Sequence, residues 1–273
     1  MQIVQEVAKQ ASSLTVFVRT PNIAFPMKQR RMTPEEQNQY KSIYETVFQA
    51  SRNCKSGLPY WSDGKISLEV SDAERLSRWE ELWARGAFNF NIANYRDFLY
   101  DQKANDLMYN FWRNKVASRV HSEAKRAIVA PEVPPHPIGT KRPSLEQDYY
   151  ECINQDNVHL VNLKSNGIKR FVAEGIETED GTVHKLDTIV LATGYDAITG
   201  SFTGMGLKDR EGTDLREKWK QGVRTHLGMT TPGLPNMFMV YSPQGMLEIL
   251  FVILATSLTR LKHQRPSPMV PRR

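Results

Sequence analysis

The sequence predicts an α/β chain built on parallel strands, and three observations predict it. The run Leu186-Asp187-Thr188-Ile189-Val190-Leu191-Ala192-Thr193-Gly194-Tyr195-Asp196 is almost wholly apolar and ends in small residues. That is the pattern of a strand buried on both faces of a parallel sheet, running into a turn that another backbone or a ligand can approach closely. Ile3, Val4, Val7, Ala8 and Ala11 recur at helical spacing and lead into the apolar segment 14–18, which is half of a βαβ unit. Several short apolar segments then follow one another between residues 158 and 190, with Asn166-Gly167 and Asp180-Gly181 as hairpin turn signals.

Taken in order, the first helix and the strand 14–18 close at Arg19-Thr20-Pro21. The missing half of this unit would be a first strand and a glycine-rich turn, so the chain reads as beginning inside a dinucleotide-binding domain. Thr33-Pro34-Glu35-Glu36 is a capping box with proline at the first helical position, opening a helix to about residue 50. Residues 51–67 carry Gly57, Pro59 and Gly64 without periodicity and form a loop. Ser71-Asp72-Ala73-Glu74 opens a second helix to about residue 85. A third helical stretch covers residues 91–123 and breaks near Lys103, because about 30 residues is long for one globular helix. Pro131, Pro134, Pro135 and Pro137 make residues 130–141 a stiff loop. A further capping box at Ser144-Leu145-Glu146-Gln147 predicts a short helix. Strands are predicted at 158–163, 168–174, 175–178 and 183–190, the last in one or two pieces. Beyond them lie a glycine-rich loop at 200–213, a short helix at 215–221 and a strand Phe238-Met239-Val240-Tyr241.

The chain has 273 residues, 40% of them hydrophobic and 24% charged, which suffices for a packed core in one large or two ordinary domains. Its net charge of +6 is spread out, with no basic stripe interleaved with aromatic residues, so no nucleic-acid partner is expected. Cys54 and Cys152 show neither metal spacing nor a disulfide framework. The N-terminus lacks the form of a signal peptide, and a reducing, cytoplasmic setting follows as the expectation. His136, His159, His184 and His226 lack ligand spacing, and no metal site is expected. Residues 246–258 are apolar but broken by Glu248. They fall short of the roughly 20 residues that span a bilayer, so a buried or partner-bound helix is expected there and a membrane anchor is not. The basic, proline-rich end reads as disordered. Oligomeric state is left open.

Three stretches together resemble the flavin-dependent Baeyer–Villiger monooxygenases, within the wider flavin-containing monooxygenase group. They are Val18-Arg19-Thr20-Pro21 after the first helix and strand, Ile138-Gly139-Thr140-Lys141-Arg142-Pro143 with Asp148-Tyr149-Tyr150 and Asp156-Asn157-Val158, and Val190-Leu191-Ala192-Thr193-Gly194-Tyr195-Asp196-Ala197. The resemblance covers residues 2–244. It implies a partial version of a fold with two dinucleotide-binding domains: an incomplete Rossmann NADP domain with a helical insertion, a cluster of β-hairpins and the last strands of an FAD domain. Residues 1–140 would hold the partial NADP domain, with the insertion at 33–127. Residues 141–244 would hold its remainder, the meander and the end of the FAD domain, and 245–273 a divergent tail. The N-terminal flavin domain and its glycine-rich turn are not found.

The resemblance implies FAD and NADPH as cofactors, with a ketone and molecular oxygen as substrates and an ester or lactone as product. An arginine at the end of the second strand of a dinucleotide fold accommodates the 2′-phosphate of NADPH where an acid would select NAD. Arg19 holds that position, and Thr20 adds a hydroxyl. By resemblance Lys141 helps hold the same phosphate and Arg142 is catalytic. A permanently charged guanidinium stabilises negative charge at the reacting centre without a proton to lose. Thr193, Gly194 and Asp196 are linker residues in the family and would line the junction of the cofactors. The alternative is an inactive remnant of such an enzyme with at most residual NADP binding or an interaction role.

Overall fold

The computed structural model of the chain describes residues 1–54, 57–194, 196, 199–239 and 242–245. These divide into two compact units, residues 1–54 with 58–189, and residues from 190 onward. The first contains, in chain order, α1 (Gln2–Val7), β1 (Leu14–Val18), β2 (Ala24–Pro26), α2 (Pro34–Ser42), α3 (Tyr44–Arg52), α4 (Asp72–Arg85), α5 (Asn89–Ile92), α6 (Gln102–Ala117), α7 (Glu123–Val129), β3 (Ser144–Glu146), α8 (Tyr149–Ile153), β4 (Val158–Asn162), β5 (Ile168–Val172), β6 (Gly175–Thr178) and β7 (Val183–Lys185). The second contains α9 (Gly200–Gly204) and α10 (Leu215–Lys218).

The helix-then-strand opening is present as the spacing predicts, and β1 pairs in parallel with β4, Leu14 opposite Val158 and Val18 opposite Asn162. Asn157 Nδ2 donates to the carbonyls of Ala8 and Ala11 at 3.0 and 2.8 Å, which satisfies acceptors left open where α1 ends. A second parallel pair, β2 with β3, sets Ala24 opposite Ser144 and Pro26 opposite Glu146. The capping-box reading of Ser144-Leu145-Glu146-Gln147 as a helix start is therefore wrong. The backbone there pairs with β2 instead, Met27 N–H donating to Glu146 O at 2.7 Å, and the helix begins three residues later, at Tyr149. A fixed ladder partner overrides local propensity here.

The insertion is helical, with more breaks than periodicity suggests. Thr33 and Glu36 form both bonds of the capping box, but the single predicted helix parts at Ile43, whose backbone leaves helical geometry at φ −112° and ψ 6°. Neither α2 nor α3 has a buried residue, so no tertiary contact enforces one continuous helix. The α4 helix begins behind Ser71, whose side chain accepts from Glu74 N–H, as predicted. The stretch 91–123 resolves into the end of α5, a 3₁₀ turn at Asp97–Leu99 and α6. Polar side chains compete with the helix across the gap. Asn94 Oδ1 accepts from Tyr95 N–H at 2.8 Å, Asp97 Oδ2 from Leu68 N–H at 3.2 Å, and Asp101 Oδ1 caps α6 through Ala104 N–H at 3.0 Å. The α7 helix, capped by Ser122, is an element the periodicity did not separate. Phe25, Leu82, Phe90, Tyr109 and Trp112 are completely or almost completely buried in one core with α1 and β2.

The last three strands of the first unit form an antiparallel meander in the order β5-β6-β7. Asp180-Gly181 closes β6 on β7 as predicted. Asn166-Gly167 does not close a hairpin, because β4 pairs with β1 and β5 with β6. Asn166 instead buttresses the other turn, its Oδ1 accepting from Asp180 N–H at 3.1 Å. The Thr182 backbone N–H, then the Thr178 hydroxyl, hold the Asp180 carboxyl down to about 2 from its ordinary 3.8. A group lowered on folding adds stability above its unfolded value and loses it as pH falls through its folded one. The contribution of this carboxylate to the turn is therefore expected to be full above about pH 4 and to be lost as pH falls toward 2. A carboxyl titration of Asp180 by NMR with its midpoint near 3.8 would show that the turn does not form.

The strand expected at 183–190 stops at Lys185. From there to Gly194 the chain has no regular structure. Ile189, Val190 and Leu191 are 40, 58 and 72% exposed, so the expectation of a strand buried on both faces is overturned. An apolar run becomes a central strand only where neighbours supply its ladder, and among the described residues none does. In the second unit, the helix expected at 215–221 is present as α10 followed by a 3₁₀ turn at Trp219–Gln221. Part of the expected glycine-rich loop is instead α9. Leu215, Trp219 and Met239 centre its core. Of the predicted strand 238–241, Phe238 and Met239 are not extended into a ladder, while Val240, Tyr241 and the tail from Met246 lie outside the described residues. No helix among the described residues is long and apolar enough to cross a membrane.

Candidate nucleotide site

Arg19 and Thr20 follow directly from the carboxyl end of β1, the end at which parallel sheets gather ligands. Lys141 and Arg142 precede β3. The pairing of β2 with β3 brings the two segments alongside each other. Ser144 N–H donates to Ile23 O at 3.3 Å, and Asn22 Nδ2 donates to Ser144 Oγ at 2.6 Å. Asn22 lies three residues after Arg19 and Ser144 two after Arg142, so the short spans bearing the cations enter the same edge of the β2–β3 pair.

Arg19, Lys141 and Arg142 are exposed. None of the three has a carboxylate within ion-pair distance among the described residues. By contrast Arg30, Arg119 and Arg170 are paired with Glu36, Glu146 and Glu177 at 2.8, 2.7 and 2.6 Å. The Arg142 guanidinium lies 6.0 Å from the centroid of the Phe88 ring, within reach of a cation–π contact that orients it while leaving its N–H donors available. This set of cations without acidic partners fits an anion such as a nucleotide phosphate.

The turn that carries Lys141 and Arg142 is held by bonds the sequence did not announce. Asn105 on α6 accepts from Ile138 N–H at 3.0 Å and donates to Ile138 O at 2.9 Å. The Thr140 hydroxyl donates to Pro137 O at 2.8 Å. Gly139 has φ +96°, and a Cβ there would stand 2.9 Å from Leu99 Cδ2, so only glycine fits. The proline-rich composition signalled a stiff loop. Nothing in the helical pattern of α6 singled out Asn105, and Asn22 carried no signal beyond its place after a proline.

Thr193, Gly194 and Asp196 belong to the second unit. Thr193, Gly194 and Asp196 are exposed. Gly194 has φ +93° and open space where a side chain would be. The Asp196 side chain lies so close to Gly200 that a Cβ there would overlap it, which packs it against the start of α9. A separate hollow of about 240 Å³ opens at the other ends of β2 and β3, between Lys28, Trp83, Arg119 and Glu151. Its arginine is consumed by Glu146 and Glu151. No cluster of three or more His, Cys, Asp or Glu that could hold a metal occurs among the described residues.

No protein-family model matches the chain. Curated relatives do. Cyclopentanone 1,2-monooxygenase of Comamonas sp. is 41% identical over 245 residues, which is 90% of this chain and 44% of the relative. The 2-oxo-Δ(3)-4,5,5-trimethylcyclopentenylacetyl-CoA monooxygenase of Pseudomonas putida is 33% identical over 90% of this chain and 44% of the relative. The crystal structure of OTEMO in complex with FAD and NADP superposes with a TM-score of 0.86 at 30% identity, over 95% of this chain and 48% of the solved one. A cyclohexanone monooxygenase mutant of Rhodococcus sp. bound to NADP+ gives 0.83 at 28% identity, over 98% of this chain and 53% of the solved one. The chain thus spans about half the length of the relatives it matches. Over that span, its mixed α/β fold and its sequence place it in the family of Baeyer–Villiger and related FAD-binding monooxygenases.

Proposed function

We propose that the chain forms the NADPH-binding part of an FAD-dependent Baeyer–Villiger monooxygenase, which inserts an oxygen atom from O2 beside a ketone carbonyl to give an ester or lactone. The observation that carries this reading is the adjacency of Arg19–Thr20 and Lys141–Arg142 across the β2–β3 pair, with all three cations lacking acidic partners among the described residues. Relatives named for ketone oxidation and solved structures with FAD and NADP support it. Bound together, the two cofactors supply the redox chemistry.

In this reading Arg19, Thr20 and Lys141 bind the 2′-phosphate. A charged fork and an ammonium there favour NADPH over NADH by their charge-assisted bonds. Arg142 sits one residue further on, its charge oriented by Phe88, and stabilises negative charge that develops next to the nicotinamide end. Thr193, Gly194 and Asp196 belong to the junction between the nucleotide-binding domains, Gly194 allowing close approach and Asp196 bracing α9.

A titration of the purified chain with NADP+ and with NAD+ tests this. Tighter binding of NADP+ is expected, and Arg19→Ala or Lys141→Ala should each weaken NADP+ about tenfold or more while leaving NAD+ unchanged. Equal affinities for the two nucleotides in the parent chain would refute the phosphate assignment. A second reading, nucleotide binding without ketone turnover, is favoured by one observation: the apolar run Ile189–Leu191 is exposed and has no ladder partner among the described residues. Flavin absorbance after purification and ester formation from cyclopentanone separate the two.

A further inference from the structure

One side chain of the helical insertion hydrogen-bonds the backbone of the turn that leads to Lys141 and Arg142. Asn105 lies on α6 and is 3% exposed. Its amide makes three hydrogen bonds, all to backbone. It donates to Phe98 O at 2.7 Å and to Ile138 O at 2.9 Å, and it accepts from Ile138 N–H at 3.0 Å. The paired bonds to Ile138 copy the contact of a neighbouring strand and fix both the position and the orientation of that residue's peptide groups. Ile138 itself is buried, three residues before Lys141. Gly139 takes a positive φ of +96°, and a Cβ there would meet Leu99 and Phe98, so the turn is built on a glycine backbone. At the far end of the turn, Asn22 holds Ser144. The span bearing Lys141 and Arg142 is therefore pinned at both ends, while the two cations are exposed and unpaired among the described residues.

The geometry points to Asn105 as a positioning residue for the Lys141–Arg142 turn, so that the helical insertion sets where these cations meet the nucleotide. This rests on the NADPH-binding role proposed above. A buried amide joins a loop to a helix here by satisfying backbone groups of the loop that apolar contacts could not. Here its third bond, to Phe98 O, locks the 3₁₀ turn before α6 onto the same atom group. The turn thus inherits the rigidity of α6 and of the aromatic core behind it, where Tyr109, Phe111 and Trp112 follow on the same helix. Preorganised donors bind an anion without losing side-chain and loop freedom at that moment. Asn105 touches no ligand in this assignment and acts only through the backbone it holds.

Two variants test it. Asn105→Ala removes all three bonds. Asn105→Asp keeps the acceptor for Ile138 N–H and loses the donor to both carbonyls, and it serves if Asn105→Ala does not fold. The first measurement needs no nucleotide: hydrogen exchange over residues 137–142 and the rate of tryptic cleavage after Lys141, the Arg142–Pro143 bond being resistant. Both should rise about tenfold or more in the variants, with exchange over α4 unchanged. The second is the ratio of NADP+ to NAD+ affinity, which should fall toward unity in the variants. A merely structural residue would lower the melting temperature without moving that ratio. Unchanged exchange and cleavage at 137–142, or a rise shared equally by α4, would overturn the inference. A parent chain that fails to prefer NADP+ sinks the functional reading instead, and the exchange and cleavage measurements still decide the role of Asn105.

Discussion

Trp112→Ala is expected to lower the stability of the first unit by about 3–5 kcal/mol, a large share of the roughly 5–15 kcal/mol that holds a domain folded. The indole is completely buried, and it packs with Tyr109 at 5.3 Å between ring centroids in a core that also holds Phe25, Leu82 and Phe90. Truncation removes the largest fully buried side chain and leaves a cavity the surrounding rings can only partly close. It also removes a specific bond: Trp112 Nε1–H donates to Ala24 O at 2.8 Å, and Ala24 opens β2. That carbonyl would be left buried without its donor, a further penalty. Trp112→Phe separates the parts, keeping most of the ring volume and losing the N–H, and should cost clearly less than the alanine variant. Urea unfolding followed by far-ultraviolet circular dichroism measures both. An alanine variant within about 1 kcal/mol of the parent would mean that this core does not hold α6 to β2. The consequence for function follows from β2, whose pairing with β3 brings the Arg19 and Lys141 segments together.

The elements legible in the sequence are those whose local pattern and tertiary surroundings agree. The helix into β1 reads correctly because its apolar spacing faces the strands it packs on. The α4 helix reads correctly because Ser71 caps it and Trp79 and Leu82 fall on its buried face. The errors share a cause. Ser144-Leu145-Glu146-Gln147 satisfies a helix-start pattern, yet Gln147, the residue that would close the box, is committed elsewhere: its side-chain oxygen accepts from Gln29 N–H at 3.1 Å, 118 residues away in sequence. The break between α5 and α6 depends on Asp97 reaching Ser67, 30 residues away. The exposed run Ile189–Leu191 has the composition of a central strand without ladder partners among the described residues. At the site, Arg19, Lys141 and Arg142 were identifiable by type and by resemblance. The residues that bring them together, Asn22 and Asn105, act on backbone atoms far along the chain, and a single sequence carries no mark of such contacts.

Arg119→Met is expected to be about as damaging as losing the tryptophan, about 3–5 kcal/mol, because it leaves a buried carboxylate without its counter-charge. Glu146 is 1% exposed and ends β3. Arg119 grips it with two parallel bonds of 2.7 and 3.1 Å, and grips Glu151 with two more of 2.6 Å. Its guanidinium stands 5.0 Å from the centroid of the Tyr150 ring. Burial opposes its charge, but the bonds to Glu151 and Glu146 outweigh that and raise its pKa. The two carboxylates are unequal. Glu151 is half exposed, so water takes over when the arginine goes, and Glu151→Ala should cost about 1 kcal/mol or less. Glu146 has no such recourse. The arrangement therefore predicts an order and not only a magnitude: Arg119→Met well above Glu151→Ala, with Arg119→Met/Glu146→Leu recovering most of the loss because neither partner is left stranded. A double variant no more stable than Arg119→Met alone would show that the arginine acts through packing on Tyr150 and not through charge. The pair holds the carboxyl end of β3, and Asn22 holds its beginning, so β3 is anchored at both ends two residues from the cation assigned to the reacting centre. In the double variant, NADP+ affinity should recover along with stability, since the apolar pair restores the anchor without restoring any charge.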